Sequence, residues 1–338
     1  MSVQERFRTP VQIPPAGDRI GYRTPVLMLG SCFTLNIGRR MQEYKFPVCL
    51  NPFGVLYNPL SILSGLQLLL NPRTFTPGDL IHHQGLWHSF FHHSSFSSPE
   101  REQCLKTINR EMKQAASFLK KARFLFISWG TARVYRYKKT GQIVSNCHKL
   151  PHREFDHFLL TPEEIAAAWN GMLATLNSRF PEMAVVFTVS PIRHWKDGAH
   201  GNQVSKSALH WALHLIMQKN PGIYYFPSYE IMMDELRDYR FYEEDMLHLS
   251  HTSISFIWER FAETYIDKEA IEIMSQVEKI ITACRHRPIH PESKEYRAFV
   301  QNTLKQLRTL QKKYPFIPLG QEKAFLEKQI KEQEEQTI

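Results

Sequence analysis

The chain has 338 residues, 43% of them hydrophobic and 12% aromatic, enough to bury one large core and unlike disordered or fibrous compositions. Its formal charge of +9 comes from lysines and arginines scattered among acidic residues, without basic blocks interleaved with stacking aromatics, so it speaks weakly for anionic ligands and not for DNA. Five cysteines (Cys32, Cys49, Cys104, Cys147 and Cys284) form no close pairs and no metal-ligand spacing, an odd count that suits a reducing compartment. The first eight residues carry charges but no apolar signal core, and no later segment approaches a membrane span. The expected location is cytoplasmic, with neither a membrane nor a nucleic acid as partner.

In chain order, Val26 to Leu29 is a short apolar run bounded by turn or polar residues, as a buried parallel strand should be. It breaks at Gly30 and re-enters as a helix-like stretch, Leu35 to Tyr44. Phe46 to Leu50 reads as a further strand and Pro59 to Leu70 as a helix opened by proline. Ile81 to Phe91, around Gln84-Gly85, predicts a β-hairpin, and Pro99 to Lys120 a helix. After the strand Phe124 to Ile127 comes a second hairpin, Val134 to Val144 around Thr140-Gly141; both hairpins are expected to wall a substrate cleft. The helix Pro162 to Ser178, the strand Ala184 to Val189, the helix Gln203 to Gln218 and the strand Ile223 to Phe226 follow, then a short helix, Tyr229 to Leu236. From about Thr252 the pattern is helical, with Phe299, Leu304, Leu307 and Leu310 on one stripe. The stretch Gln321 to Ile338 is either a solvated helix or a frayed tail. No solenoid repeat is present. The alternation predicts a doubly wound, three-layer α/β/α domain with a parallel sheet over residues 1–265, and a helical C-terminal extension over 266–338.

A strand that breaks at glycine and returns as a helix leaves the Ser31 hydroxyl at the carboxyl edge of the sheet, where α/β proteins bind ligands. Serine is a poor nucleophile at neutral pH and needs a histidine, usually with an orienting carboxylate. Asp-x-x-His occurs three times, at Asp79/His82, Asp197/His200 and Asp245/His248. Position selects the third, which follows the last strand and returns to the edge that carries Ser31. The rival roles are helix cap for Ser31, packing for His248, and, on equal terms with orientation, helix cap for Asp245. Cys32, next to Ser31, is a weaker alternative nucleophile, because successive side chains at such a turn point apart.

The string Gly30-Ser31-Cys32-Phe33, Asn51 to Pro59, Ser128-Trp129-Gly130-Thr131-Ala132, Asn146-Cys147-His148-Lys149, Ser190 to His194 and Asp245-x-x-His248 resembles the GSCFA family from about residue 22 to about 265. That family is similar to the SGNH/GDSL hydrolases. The resemblance implies a flavodoxin-like fold and acyl-ester chemistry, with Ser31, Asp245 and His248 as a catalytic triad. It also implies an oxyanion hole built from backbone N–H groups at Ser31 and Gly54. The asparagine that SGNH enzymes carry after a glycine is replaced by Thr131, so the third donor is the Thr131 hydroxyl or the amide of Asn51 or Asn58. Asn51, Asn58, Gly130, His148, Arg193 and His194 make up the expected substrate-binding set.

The expected activity is that of a serine esterase, deacylase or O-acyltransferase acting on a small or glycan-linked acyl group, with no metal or organic cofactor. The alternative from another class is a catalytically idle module of the same fold that binds a carbohydrate or acyl ligand. The histidine-rich stretch His82, His83, His88, His92 and His93 is expected to supply surface or cleft histidines, since hairpin alternation separates His82 from His83 and no carboxylate or cysteine stands at a matching spacing. Trp87 and Phe90 are placed to stack on a sugar or cover an acyl group.

Overall fold

The computed structural model describes residues 9–335 of the chain. In chain order the elements are β1 (Val26–Gly30), α1 (Cys32–Glu43), β2 (Val48–Leu50), α2 (Pro59–Leu70), β3 (Ile81–His83), β4 (Leu86–His88), α3 (Arg101–Leu119), β5 (Phe124–Trp129), β6 (Arg133–Tyr137), β7 (Ile143–Val144), β8 (Phe155–Leu159), α4 (Pro162–Arg179), β9 (Ala184–Val189), α5 (Gly198–Lys219), β10 (Tyr224–Tyr225), α6 (Ser228–Glu230), α7 (His251–Tyr265), α8 (Lys268–Arg285), α9 (Lys294–Lys313) and α10 (Gly320–Glu335). The short α6 runs on as a π-helix over Ile231–Glu235.

The chain divides into two units. The first takes Pro25–Arg39 and Val48–Thr264 with the described residues up to Ala16; the second takes Gly17–Thr24, Arg40–Pro47 and the described residues from Tyr265 onward.

The first unit is built on five strands in the order β10-β9-β5-β1-β2, paired in parallel throughout, so all of them end on one edge. From β1 the chain moves outward to β2, then returns to β5 on the other side of β1. This is the flavodoxin-like order, and its reversal between β1 and β5 opens a crevice at their carboxyl ends. Strands covered on both faces must be apolar on both, and β1, β5 and β9 are buried along their whole length. Leu27, Leu29, Leu125, Ile127, Val185 and Phe187 pack with α2 to α5 in the major core. On the opposite face Phe126 meets Phe261 of α7, and Phe226 meets both Phe33 of α1 and Phe261. The result is three layers, α/β/α.

Outside this sheet, β3 and β4 pair antiparallel, and β7-β6-β8 form a three-stranded sheet. Strand β8 has no counterpart among the sequence expectations; its burial does not alternate cleanly, and pairing with β6 defines it. Phe90, expected in the cleft, is buried with Tyr137, Val144 and Phe155 in a small core.

The second unit is helical. Residues 17–24 and 40–47, assigned from sequence to the first domain, are held here by hydrogen bonds between Ile20 and both Tyr265 and Asp267. Tyr22 stacks on Phe46 at 4.3 Å, and Lys45 pairs with Glu322 at 2.5 Å. In α9 the buried stripe includes Tyr296, Val300, Leu304, Leu307 and Leu310; Phe299 is 40% exposed, because it falls one position off that face. Among the described residues no helix is long and apolar enough to cross a membrane.

Candidate active site

Ser31 stands between β1 and α1 at the reversal point of the sheet. Gly30, before it, has φ +139°, and a Cβ there would lie 2.2 Å from the Ser128 carbonyl oxygen, so glycine is what lets β1 turn against β5. The Gly30 N–H donates to Asn51 Oδ1 at 2.8 Å and its carbonyl accepts from Leu56 N–H at 2.9 Å. Ser31 is buried. Its Oγ lies 2.8 Å from Ser128 Oγ and accepts from Phe33 N–H at 3.3 Å, so the nucleophile candidate also caps the start of α1.

Asn51 is the most informative neighbour. It follows β2 with φ +44°, a conformation asparagine tolerates better than most residues. Oδ1 is committed to Gly30, whereas Nδ2 is buried with no hydrogen-bond partner among the described residues. A buried donor without an acceptor costs free energy, and here it stands beside the loop that bears Ser31.

The other expected oxyanion donors are already occupied. Ser31 N–H donates to Ser128 O, Gly54 N–H to Asn51 O, and the N–H groups of Gly130 and Thr131 both to Tyr57 O. The Thr131 hydroxyl bonds Ser205 Oγ at 2.9 Å and accepts from Arg133 N–H. Thr131 is therefore a loop anchor. Asn58 is likewise corrected: Oδ1 accepts from Ser61 N–H and Nδ2 donates to Ser61 Oγ, making it the N-cap of α2.

After β9, the His194 N–H donates to Asn202 Oδ1 at 2.9 Å, and its ring meets Tyr57 edge-on at 5.2 Å. It presses on Gly130, where a Cβ would lie 2.8 Å from His194 Nε2. Burial, helped by Lys206 and His248 nearby, pushes His194 down to about 4, so it is neutral at pH 7. The Arg193 guanidinium donates to the Met246 carbonyl, tying this loop to the turn that carries Asp245 and His248.

In that turn His248 Nδ1 lies 2.5 Å from Asp245 Oδ2, while Asp245 Oδ1 accepts the N–H groups of Leu247 and His248 at 2.8 Å each. The bond to His248, then the backbone donors, hold the Asp245 carboxyl down at about 2. The carboxylate can only accept, so Nδ1 carries the proton and Nε2 is left as the basic nitrogen. Of the three Asp-x-x-His runs, this is the one whose carboxylate meets its own histidine. Asp79 bonds Arg73 and Thr76, and Asp197 faces Arg133 and His157. Helix α7 is capped by Ser250, whose Oγ accepts from Ser253 N–H, and not by Asp245. His248 is half exposed and makes no hydrogen bond to Ser31.

A family model described as the GSCFA family matches residues 25–261. The chain belongs to the GSCFA family. A second model, the GSCFA domain protein C-terminal domain, matches residues 277–332, and no curated protein matches the chain.

Other parts of this GSCFA protein's site are silent in the sequence. Asn202, Ser205 and Lys206 share one face of α5 at spacings of three and four. Ser205 Oγ accepts from Ala132 N–H at 2.8 Å, and Lys206 Nζ donates to the carbonyls of Gly130 (2.8 Å) and Ser190 (2.5 Å), joining the loops after β5 and β9. Burial pushes the Lys206 ammonium from 10.5 down to about 7. The unfolded chain therefore binds more protons between those values, so the stability this group contributes is full above pH 10.5 and is lost as pH falls to 7. Lys206→Met removes that dependence. Urea unfolding at pH 7 and pH 10 is expected to show the parent gaining on the variant by on the order of 3 kcal/mol across the interval.

The histidine-rich stretch is corrected in part. His88 and His92 are buried, not surface or cleft residues: His92 Nδ1 bonds Ser89 Oγ and its ring packs against Phe53, Phe75 and Phe96. His148, expected to bind substrate, stacks on His88 at 4.4 Å with Nε2 on Ser89 O at 2.9 Å. It packs the hairpin. Among the described residues no group of three or more His, Cys, Asp or Glu side chains is arranged to hold a metal ion.

Proposed function

We propose that this GSCFA protein hydrolyses or transfers an O-linked acyl group through an acyl-serine intermediate on Ser31. The observations that carry the reading are a buried serine hydroxyl at the carboxyl edge of the sheet with the open Asn51 amide beside it, and an Asp245–His248 pair whose carboxylate fixes the imidazole tautomer. The resemblance to SGNH/GDSL hydrolases points the same way.

In the first half-reaction His248 Nε2 takes the Ser31 proton as Oγ attacks the acyl carbon. The tetrahedral oxyanion takes a hydrogen bond from Asn51 Nδ2. Collapse breaks the ester C–O bond, and the departing alkoxide receives the proton from His248. Water, or a second alcohol, then attacks the acyl-serine with the same proton traffic in reverse. Substrate binding must release Ser31 Oγ from Ser128 and draw the Asp245–His248 turn inward; catalytic hydrogen bonds commonly tighten only in the substrate complex.

A second reading, an idle binding module, is favoured by one observation: the Ser31 hydroxyl is held by Ser128 while His248 stands half in solvent. A fluorophosphonate probe separates the two. Labelling of the intact chain, retained in Cys32→Ala and lost in Ser31→Ala, is the expected result. Absence of Ser31-dependent labelling would establish the binding module instead.

A further inference from the structure

We propose that a cavity beside the Asp245–His248 turn binds a neutral, hydroxyl-rich ring, a sugar or comparable polyol, as the alcohol half of the ester. The proposal rests on the reading of Ser31 as the acyl-accepting group. The cavity has a volume of ≈ 560 Å³, inside the range of small-ligand sites. It lies in the first unit, between the loop after β9 and the segment joining β10 to α7.

Arg193 couples it to the chemistry. The guanidinium carbon lies 5.0 Å from the ring centroids of both Trp195 and Tyr242, a terminal nitrogen donates to the Met246 carbonyl, and Nε is buried with no partner among the described residues. One side chain thus lines the cavity, supports the turn that carries His248 and keeps a donor unspent.

The rest of the lining selects the ligand class. Two guanidiniums, Arg193 and Arg237, stand with two carboxylates, Asp234 and Asp238, the latter also bonded to the Arg240 N–H. A polyanion meets the carboxylates and a cation meets the guanidiniums. An alkyl chain would strip water from these charged groups and offer them no hydrogen bond in return. A ring of hydroxyls, each both donor and acceptor, satisfies both kinds of group at once. Its C–H faces need flat apolar surface, which Tyr229, Tyr239 and Tyr242 provide. Burial raises the phenols of Tyr229 and Tyr242, so both remain neutral and able to donate as well as accept. Tyr239 is 73% exposed, a large aromatic ring kept at the cavity mouth.

The test uses the full chain carrying Ser31→Ala, so that binding is read without turnover, and the methyl glycosides of glucose, galactose, mannose, xylose and N-acetylglucosamine, by saturation-transfer NMR. At least one glycoside is expected to receive saturation. That signal should fall at least five-fold with either Tyr239→Ala or Arg237→Ala added, both exposed positions whose loss leaves the fold intact by circular dichroism. Inorganic phosphate at equal concentration should not displace it. Silence from all five glycosides, an undiminished signal in both variants, or displacement by phosphate would each overturn the assignment. Missing fluorophosphonate labelling, in contrast, would count against the Ser31 chemistry and leave glycoside binding standing.

Discussion

Replacement of His248 by alanine is expected to lower kcat/KM for a short-chain aryl ester by about 10³- to 10⁴-fold, while Asp79→Ala and His200→Ala stay within about two-fold of the parent. The contrast follows from what each carboxylate does. Asp245 is ionised and spends one oxygen on the turn's own N–H groups and the other on His248, so the imidazole is held as the Nδ1–H tautomer. Asp79 is consumed by Arg73 and the Thr76 backbone, and among the described residues it bonds no imidazole. His200 lies in the first turn of α5 without bonding Asp197. Under the proposed mechanism, loss of the base removes the proton acceptor for Ser31 but spares the Asn51 donor and the substrate contacts, which is why a residue of catalysis should persist. Steady-state kinetics on the three variants decides it, and an equal loss from either of the other two runs would show that the base had been assigned to the wrong histidine.

The parts of this molecule that the sequence makes legible are those fixed by local pattern. The run Val26 to Leu29, its break at Gly30 and the helix beyond are visible because a strand buried on both faces is apolar throughout and the chain can leave it there only through glycine. The Gln84-Gly85 turn is visible for a similar reason: φ +49° and +76° are what a two-residue hairpin demands of its central positions. Pro59 is legible too, as a first-turn proline, but that Asn58 before it is the N-cap and not an oxyanion donor emerges only from its bonds to Ser61. Ser128 and Lys206 are different. Each sits inside a stretch that reads as core, and its meaning comes from a neighbour remote in sequence: the register that sets Gly30 opposite Ser128, and the approach of α5 to the carbonyls of Gly130 and Ser190. The same holds for Ser31 and Gly54, whose N–H groups look available until the carbonyls of Ser128 and Asn51 are seen to take them. Backbone acceptors have no sequence signature, so an oxyanion hole inferred from residue types alone overcounts its donors.

Gly30→Ala should be the most damaging single substitution for stability, costing roughly 4 kcal/mol or more. Two terms combine. An alanine at φ +139° occupies a region that is almost exclusively glycine's, at about 1–3 kcal/mol of strain. The added methyl would also stand 2.2 Å from the Ser128 carbonyl oxygen and 2.9 Å from that residue's backbone carbon and nitrogen. These are main-chain atoms of the central strand β5, so no side-chain rotation relieves the clash. Relief requires β1 to separate from β5, which breaks the register through Gly30 and Ser128 and the Gly30–Asn51 hydrogen bond together. Gly85→Ala is the matched control: its φ is +76° but nothing lies within 4 Å, so it should carry only the conformational penalty, about 1 kcal/mol. Urea unfolding of the two variants beside the parent separates the terms. A Gly30→Ala chain within about 1 kcal/mol of Gly85→Ala would mean that β1 and β5 are not packed backbone to backbone at the serine. With that contact gone, Ser31 would lose the rigid support that aims its hydroxyl, and the acyl-transfer reading would lose its nucleophile along with the fold.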